Sequence, residues 1–296
     1  MITDSRWADL LRTRARDPEA VGRAYAERRV RADPFQGETL FLVAADHPAR
    51  GALGVGGDPL AMANRRQLLD RLLTALADPA VDGVLGSPDI IEELLLLDGL
   101  HDRVVIGSMN RGGLAGADWE IDDRFTGYDA QSIVDNRLDG GKMLLRLVDE
   151  DPGTIPTLES SARAVSELAG HGLMAMVEPL PYARDEQDKL VLRQDTLSLA
   201  RAVTVASALG TTSAHTWLKL PAVRDLAVLD ATTLPILLLG GAPSGDPDKD
   251  LETWGPPLRH PAVRGLVVGR TLLYPPDGDV ATAVGKAAQL LKEIPA

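Results

Sequence analysis

Residues 173–177 read LMAMV, residues 217–220 read WLKL, and residues 192–209 between them read LRQDTLSLARAVTVASAL. The two short segments are apolar almost throughout, which is typical of strands covered on both faces. The long segment between them has the length of a helix. A strand, a helix and a second strand in this order predict a parallel βαβ unit.

The same alternation extends over most of the chain. Eight short apolar segments are expected to form strands: Leu40–Ala45, Val81–Leu85, Val104–Ile106, Met143–Val148, Leu173–Val177, Trp217–Leu220, Ile236–Leu239 and Leu266–Val268. Helices are expected at residues 59–77, 90–97, 128–138, 156–169, 192–209, 222–229, 248–258 and 280–294. Eight such units predict an α/β fold, a single closed (β/α)8 TIM barrel, in preference to an open doubly wound sheet.

The 296 residues are assigned to one TIM-barrel domain, because no internal repeat or linker divides the chain. Residues 1–36 are predicted to form an N-terminal helical extension, whose first thirty or so residues are expected to be one helix. Residues 38–275 form the predicted barrel core, and residues 278–294 a C-terminal helix. A barrel of this kind needs about 250 residues, which the chain supplies.

Composition and charge exclude several classes of function. The net charge is −12 and no run of basic residues is present, so binding to nucleic acid or to a membrane surface is not expected. The absence of cysteine excludes disulfides, thiolate metal sites and cysteine nucleophiles. The first twenty residues resemble neither a signal peptide nor a membrane span, so a cytoplasmic location is expected.

Two of the six lysines lie in unusual surroundings. Lys142 lies at the start of the fourth predicted strand and Lys219 within the sixth, where an unpaired ammonium is costly. A nearby second cation and burial both lower the pKa of an amine and free it to attack a carbonyl. The alternatives are that each lysine extends out of the barrel or pairs with a buried acid.

Carboxylates and a possible anion site follow other strands. Asp46 ends the first strand and Glu178 the fifth, and both are candidates for proton transfer, unless they only neutralise the lysines. Phosphate in a barrel often binds after the seventh and eighth strands. The residues found there are Gly240, Gly241, Gly269 and Arg270. Arg50 and Arg111 are candidates for a second anionic group, or are ordinary surface arginines.

These residues together carry a resemblance to a known family. They are Asp46 in AADH (44–47), Lys142 in GGKMLL (140–145), Glu178 in VEPL (177–180), Lys219 in WLKLP (217–221), and Gly269 with Arg270 in VVGR (267–270). The order and spacing over about residues 38–275 resemble class I aldolases of the tagatose-bisphosphate and bacterial fructose-bisphosphate type. They are most similar to the aldolase-like proteins of inositol catabolism. Deoxyribose-phosphate aldolases carry a second active-site lysine on the seventh strand, and the seventh predicted strand of this chain has none.

The resemblance implies a carbon–carbon lyase of carbohydrate metabolism. Lys219 is then the Schiff-base lysine and Lys142 its assisting lysine, with a phosphorylated ketose or keto-sugar acid as substrate and no cofactor. The sequence leaves open the exact substrate, the main proton shuttle among Asp46 and Glu178, and the role of the N-terminal helix. It also leaves open the oligomeric state, including assembly into a homo-oligomer.

Two other functions remain alternatives at this point. The first is a metal-dependent TIM-barrel lyase that uses His47, Glu178 and His215. Four residues of extended strand separate His215 from Lys219 by about 13 Å, so His215 is expected near the opposite end of the barrel. The second is a barrel that binds a sugar phosphate without catalysis.

Overall fold

A computed structural model describes residues 1–35 and 39–292 of the protein. The predicted boundaries at residues 36 and 38 and the predicted helix end at Ile294 lie outside this described part. Its strands are β1 Leu40–Ala45, β2 Gly83–Gly86, β3 Val104–Ser108, β4 Gly140–Leu147, β5 Met174–Arg184, β6 Leu190–Leu192, β7 Thr216–Pro221, β8 Ile236–Leu239 and β9 Val263–Val268. Its α-helices are α1 Asp4–Arg16, α2 Glu19–Glu27, α3 Arg65–Leu76, α4 Pro88–Leu96, α5 Ala130–Asp135, α6 Thr154–Gly170, α7 Thr196–Ser207, α8 Pro247–Leu258, α9 Arg270–Leu273 and α10 Val280–Lys292.

The predicted TIM barrel is confirmed. All the strands except β6 are parallel and pair in the order β1-β2-β3-β4-β5-β7-β8-β9, and β9 pairs again with β1. The strand β6 is an addition that the sequence analysis missed. It pairs in antiparallel fashion with the end of β5, so β5 and β6 form a hairpin that continues beyond the barrel rim.

The apolar segments form strands because both of their faces are covered. Along β1, Leu40, Leu42 and Ala44 point into the barrel, while Phe41 and Val43 pack toward the helices. This alternation is the two-residue period of a strand. It determines which later side chains reach the interior.

Three predicted helices differ from the observed ones. The N-terminal segment forms two helices, since Pro18 has no backbone N–H and cannot continue α1. The helix predicted from residue 59 starts instead at Arg65, where the Asn64 side chain accepts a hydrogen bond from the backbone N–H of Gln67. The segment predicted at 222–229 is a 3-10 helix, Leu226–Ala231.

The N-terminal extension covers one side of the barrel near the N-terminal ends of the strands. Helix α2 packs against α4, and the hydroxyls of Tyr25 and Tyr128 lie 2.6 Å apart. The buried guanidinium of Arg28 donates to the backbone carbonyls of Arg103 and Arg137, which precede β3 and β4. The C-terminal ends of the strands remain uncovered by this extension and surround an open pocket.

Candidate active site

Four ionisable side chains reach the barrel interior because of the strand period. Asp46 follows the inward-facing Ala44 by two residues, Glu178 follows Met176, and Lys219 follows Trp217. Lys142 comes from β4, next to β5. Each of Asp46, Lys142, Glu178 and Lys219 is at least nine-tenths buried. The structure therefore brings together all four residues that the sequence analysis selected as catalytic.

Lys142 lies at the centre of the group. Its Nζ is 2.5 Å from Oε2 of Glu178 and 3.2 Å from Oδ2 of Asp46. The Nζ of Lys219 lies 3.2 Å from the same Oε2 of Glu178. One carboxylate oxygen thus joins the two amines, whereas the contacts of Asp46 in this group are with Lys142 and not with Lys219.

Two neighbours from the third strand and the loop after it hold Asp46 in place. The guanidinium of Arg111 lies 2.9 Å from Oδ2 of Asp46 and donates to its backbone carbonyl at 2.5 Å. The hydroxyl of Ser108 donates to Oδ2 at 3.3 Å. The sequence analysis considered Arg111 only for a second anionic group, and it did not identify Ser108 as a partner of Asp46.

The charges in the cluster shift the pKa values of its members. Burial raises the pKa of Glu178, but Lys142 and Lys219 outweigh burial and lower it to about 2. Burial also raises the pKa of Asp46, and Lys142 and Arg111 then bring it well below its usual range. Burial lowers the pKa of Lys142 to about 8, against the opposing effect of the two carboxylates. Both carboxyl groups are therefore ionised at neutral pH.

The predicted phosphate-binding residues lie on the same pocket, which has a volume of about 1090 Å³. Gly240 and Gly241 follow β8, and Gly269 and Arg270 follow β9. Gly241 has a φ of +72°, which glycine adopts without strain, whereas a side chain at Gly240 would contact Val268. The half-buried guanidinium of Arg270 has no carboxylate within ion-pair distance in the described part of the chain.

His47 lies on the same pocket, between Asp46 and Gly269. Its Nδ1 is buried, accepts or donates no hydrogen bond within residues 1–35 and 39–292, and lies 3.8 Å from Oδ1 of Asp46. Burial lowers the pKa of His47 to about 4, so the ring is neutral at physiological pH. The sequence analysis assigned His47 only to the metal-dependent alternative.

His215, the third residue of the proposed metal-dependent set, lies far from His47 and Glu178. His215 is exposed and directly precedes β7, at the end of the strand opposite to the pocket, as its spacing from Lys219 predicts. Among the residues that the structure describes, no three His, Cys, Asp or Glu side chains are grouped so that they could hold a metal ion. The set His47, Glu178 and His215 is therefore not a metal site.

The β5–β6 hairpin forms a wall of the pocket that was not predicted. Leu180 comes from the end of β5 that still pairs with β4, Tyr182 from the part that pairs with β6, and Leu192 from β6 itself. The sequence signal was weak, because residues 190–192 read only LVL and the predicted fifth strand ended at Val177. This wall adds apolar surface to the pocket, next to Glu178 on the same strand.

The family-model description Cgl0159-like matches residues 38–288. The chain belongs to the Cgl0159-like family. The crystal structure of Cgl0159 from Corynebacterium glutamicum (Brevibacterium flavum) has 48% sequence identity and a TM-score of 0.94, and the match covers 98% of each chain. No curated protein sequence matches this chain.

More distant structures share the barrel with this Cgl0159-like protein. The fructose-bisphosphate aldolase from Slackia heliotrinireducens has 15% identity and a TM-score of 0.66, over 95% of this chain and 88% of that one. An archaeal fructose-1,6-bisphosphate aldolase, with its catalytic lysine covalently bound to a carbinolamine intermediate, has 16% identity and a TM-score of 0.62, over 92% and 99%. The protein thus shares the TIM-barrel fold with these aldolases. No helix in the described residues is long and apolar enough to span a membrane.

Proposed function

We propose that this Cgl0159-like protein is a class I aldolase, a carbon–carbon lyase that forms a Schiff base through Lys219. The observation that carries the proposal is the position of Glu178, whose Oε2 contacts the amines of both Lys142 and Lys219 at the base of an open pocket. Two buried lysines that share one carboxylate are more than binding alone requires. Their arrangement supplies an amine nucleophile and a proton carrier side by side.

The contacts favour Lys219 over Lys142 as the nucleophile. Lys142 lies between two carboxylates, whereas Lys219 contacts Glu178 alone. The free amine of Lys219 attacks the substrate ketone to give a carbinolamine, which loses water to give an iminium ion. Glu178 contacts the amine directly and is placed to move the proton that leaves with the water.

Cleavage then requires a proton to leave a substrate hydroxyl. As the O–H bond breaks, the carbon–carbon bond breaks to release an aldehyde, and its electrons pass to the iminium nitrogen to give an enamine. Protonation of the enamine carbon and addition of water release the ketone and regenerate Lys219. Lys142, with a pKa of about 8, is a suitable proton carrier near neutral pH, and Asp46 orients it.

We further propose a phosphorylated ketose or keto-sugar acid as the substrate. Arg270 supplies a guanidinium that forms no ion pair with the described residues, and Gly240, Gly241 and Gly269 let the backbone approach the phosphate closely. The resemblance of Asp46, Lys142 and Glu178 to the tagatose-bisphosphate type, and to aldolase-like proteins of inositol catabolism, supports this substrate class. The net charge of −12 supports a small molecule, in preference to a nucleic acid or a membrane surface, as the binding partner.

The test is reduction with borohydride in the presence of dihydroxyacetone phosphate, followed by intact mass and peptide mapping. The expected result is a single covalent adduct on Lys219. The variant Lys219→Arg is expected to form none, whereas Lys286→Arg, a change at an exposed lysine of α10, is expected to behave as the parent protein does. An adduct on Lys142 would reverse the two lysine roles. No adduct with any ketose phosphate would reject the proposal.

A further inference from the structure

Five arginines line the pocket, and their surroundings differ. Arg50, Arg111 and Arg146 lie on the side formed by the ends of the first, third and fourth barrel strands, and all three are buried. Arg270 follows β9, which lies opposite β4 and next to β1 in the closed barrel, and the exposed Arg224 follows β7. A substrate with phosphates at both ends would need a free cation on each side of the catalytic lysines.

The two terminal nitrogens of the Arg50 guanidinium are engaged by the protein, whereas its Nε has no hydrogen-bond partner in the described residues. It lies 2.5 Å from Oδ2 of the buried Asp123, and it donates to the backbone carbonyls of Asn110 at 2.5 Å and Gly113 at 2.9 Å. These contacts hold the long segment after β3 against the pocket. Arg50 is therefore a structural link between segments, whereas the sequence analysis left open whether it meets a second anionic group or is an ordinary surface arginine.

Arg146 and Arg111 are engaged in the same way. Arg146 forms an ion pair with Glu120 and donates to the backbone carbonyls of Glu120 at 2.6 Å and Gly113 at 3.1 Å. Arg111 is bound to both the carboxylate and the backbone carbonyl of Asp46. A second phosphate on this side would have to displace the carboxylate that pairs with each of these arginines. If the carboxylate stayed in place, the phosphate would lie beside its negative charge.

On the side of Arg270, the positive charge is not neutralised by a neighbouring carboxylate within residues 1–35 and 39–292. In the described residues, the side chain of Arg270 forms no ion pair and no hydrogen bond, whereas the guanidiniums on the other side each contact a carboxylate. Asp46 and Glu178 contact Lys142 and Lys219, and neither lies within ion-pair distance of Arg270. Within the described residues, the pocket arginines that form no ion pair are therefore Arg270 and the exposed Arg224, which follow β9 and β7.

We infer that the pocket accepts a substrate with a single phosphate, held on the Arg270 side, and discriminates against sugar bisphosphates. This selectivity rests on the proposed function and names its substrate class more closely. Discrimination arises because a dianion beside Arg50 and Arg146 meets guanidiniums that Asp123 and Glu120 already neutralise, and these carboxylates repel it. Like-charge contact of this kind is a common way for a site to exclude the wrong ligand.

The selectivity can be measured without any chemistry at Lys219. D-Glucitol 6-phosphate and D-glucitol 1,6-bisphosphate have no carbonyl, so neither can form an imine. Titration calorimetry is expected to show that the monophosphate binds at least about 10-fold more tightly, a difference of about 1.4 kcal/mol. Equal or tighter binding of the bisphosphate would overturn the inference, and so would the absence of binding by either compound.

Variants of the carboxylates that pair with Arg146 and Arg50 test whether these ion pairs cause the preference for the monophosphate. Glu120→Gln and Asp123→Asn each release one arginine and are expected to narrow the preference for the monophosphate. The exposed ion pair of Asp149 with Arg201 offers a control, and Asp149→Asn is expected to leave the preference unchanged. Because Asp123 is buried, Glu120→Gln is the safer variant for folding. An unchanged preference in well-folded Glu120→Gln and Asp123→Asn would contradict this origin of the selectivity.

A second measurement separates this inference from the proposed aldolase function. Fructose 1-phosphate and fructose 1,6-bisphosphate are compared as substrates for cleavage, beside the borohydride adduct with dihydroxyacetone phosphate. A Lys219 adduct together with a preference for the bisphosphate would retain the aldolase and reject the single-phosphate pocket. Selective binding of the glucitol monophosphate with neither cleavage nor adduct would retain the pocket and reject the aldolase.

Discussion

Glu178 and Lys219 face each other from the neighbouring barrel strands β5 and β7, with Oε2 and Nζ 3.2 Å apart. Because Glu178 is the only carboxylate in the described residues that lies within ion-pair distance of Lys219, the chemistry at this amine depends on it. The variant Glu178→Gln is expected to lower the rate of imine formation by about 10²–10⁴-fold, the usual loss when a proton-transfer group is removed. The measurement is the rate at which the borohydride adduct with dihydroxyacetone phosphate appears.

Asp46→Asn provides the comparison for this variant. Asp46 contacts Lys142 but not Lys219, so imine trapping is expected to persist while carbon–carbon cleavage slows. If Asp46→Asn and Glu178→Gln impair trapping equally, the division of roles between the two carboxylates is wrong.

Lys142 is expected to determine the alkaline limb of the activity profile. Its pKa of about 8 means that the ammonium form is lost as the pH rises through this value. If Lys142 donates a proton in the slow step, kcat falls above about pH 8. Lys142→Arg keeps the charge and is expected to be less active at pH 7, but without this fall. An unchanged alkaline limb in Lys142→Arg would assign it to another group.

The ionised form of Glu178 is expected to stabilise the fold. Its pKa is about 2 in the folded protein and near 4.5 ordinarily, so the stabilisation is complete above about pH 4.5. It is lost as the pH falls from there toward 2, because the unfolded chain binds the proton first. The shift corresponds to roughly 3 kcal/mol. Urea unfolding between pH 6 and pH 3 measures this loss, and a constant midpoint over that range would refute it.

Arg270 is expected to act on affinity for the phosphate. Charge-assisted hydrogen bonds contribute about 1.5–3 kcal/mol, so Arg270→Ala is expected to raise KM for a ketose phosphate by roughly 10–100-fold. Unphosphorylated dihydroxyacetone is expected to react with the variant as it does with the parent. Arg264→Ala, which removes an exposed arginine of β9, serves as the control. If Arg270→Ala impaired the reactions of the phosphorylated and the unphosphorylated ketone equally, Arg270 would not be the phosphate-binding residue.

The sequence was sufficient for the barrel and for its central charges. The predicted bounds of β1 and β8 agree with the structure, because strands covered on both faces are apolar without interruption. Lys142 and Lys219 were recognisable because lysine is costly in such a segment. Their meeting follows from the fold, since all the barrel strands end at the same rim.

The contacts between distant segments could not be predicted in this way. Arg50 and Asp123 lie far apart in the chain, and neither is part of an apolar segment that marks it as buried. The hairpin strand β6 has only three residues, too few for its alternation to be recognised. Pairing partners that depend on how two loops fold over each other leave no periodic signal in the sequence.

The β5–β6 hairpin carries wall residues of the pocket on a segment separate from the charged residues of the barrel. Glu178 lies within the barrel portion of β5, whereas Tyr182 and Leu192 belong to the projecting hairpin, which pairs with no other strand. Substitutions there are expected to alter the walls of the pocket without moving the four charged side chains that we propose as catalytic. Relatives that keep the same four central residues can therefore differ in substrate. Exchange of this hairpin between them is a route to a new substrate specificity.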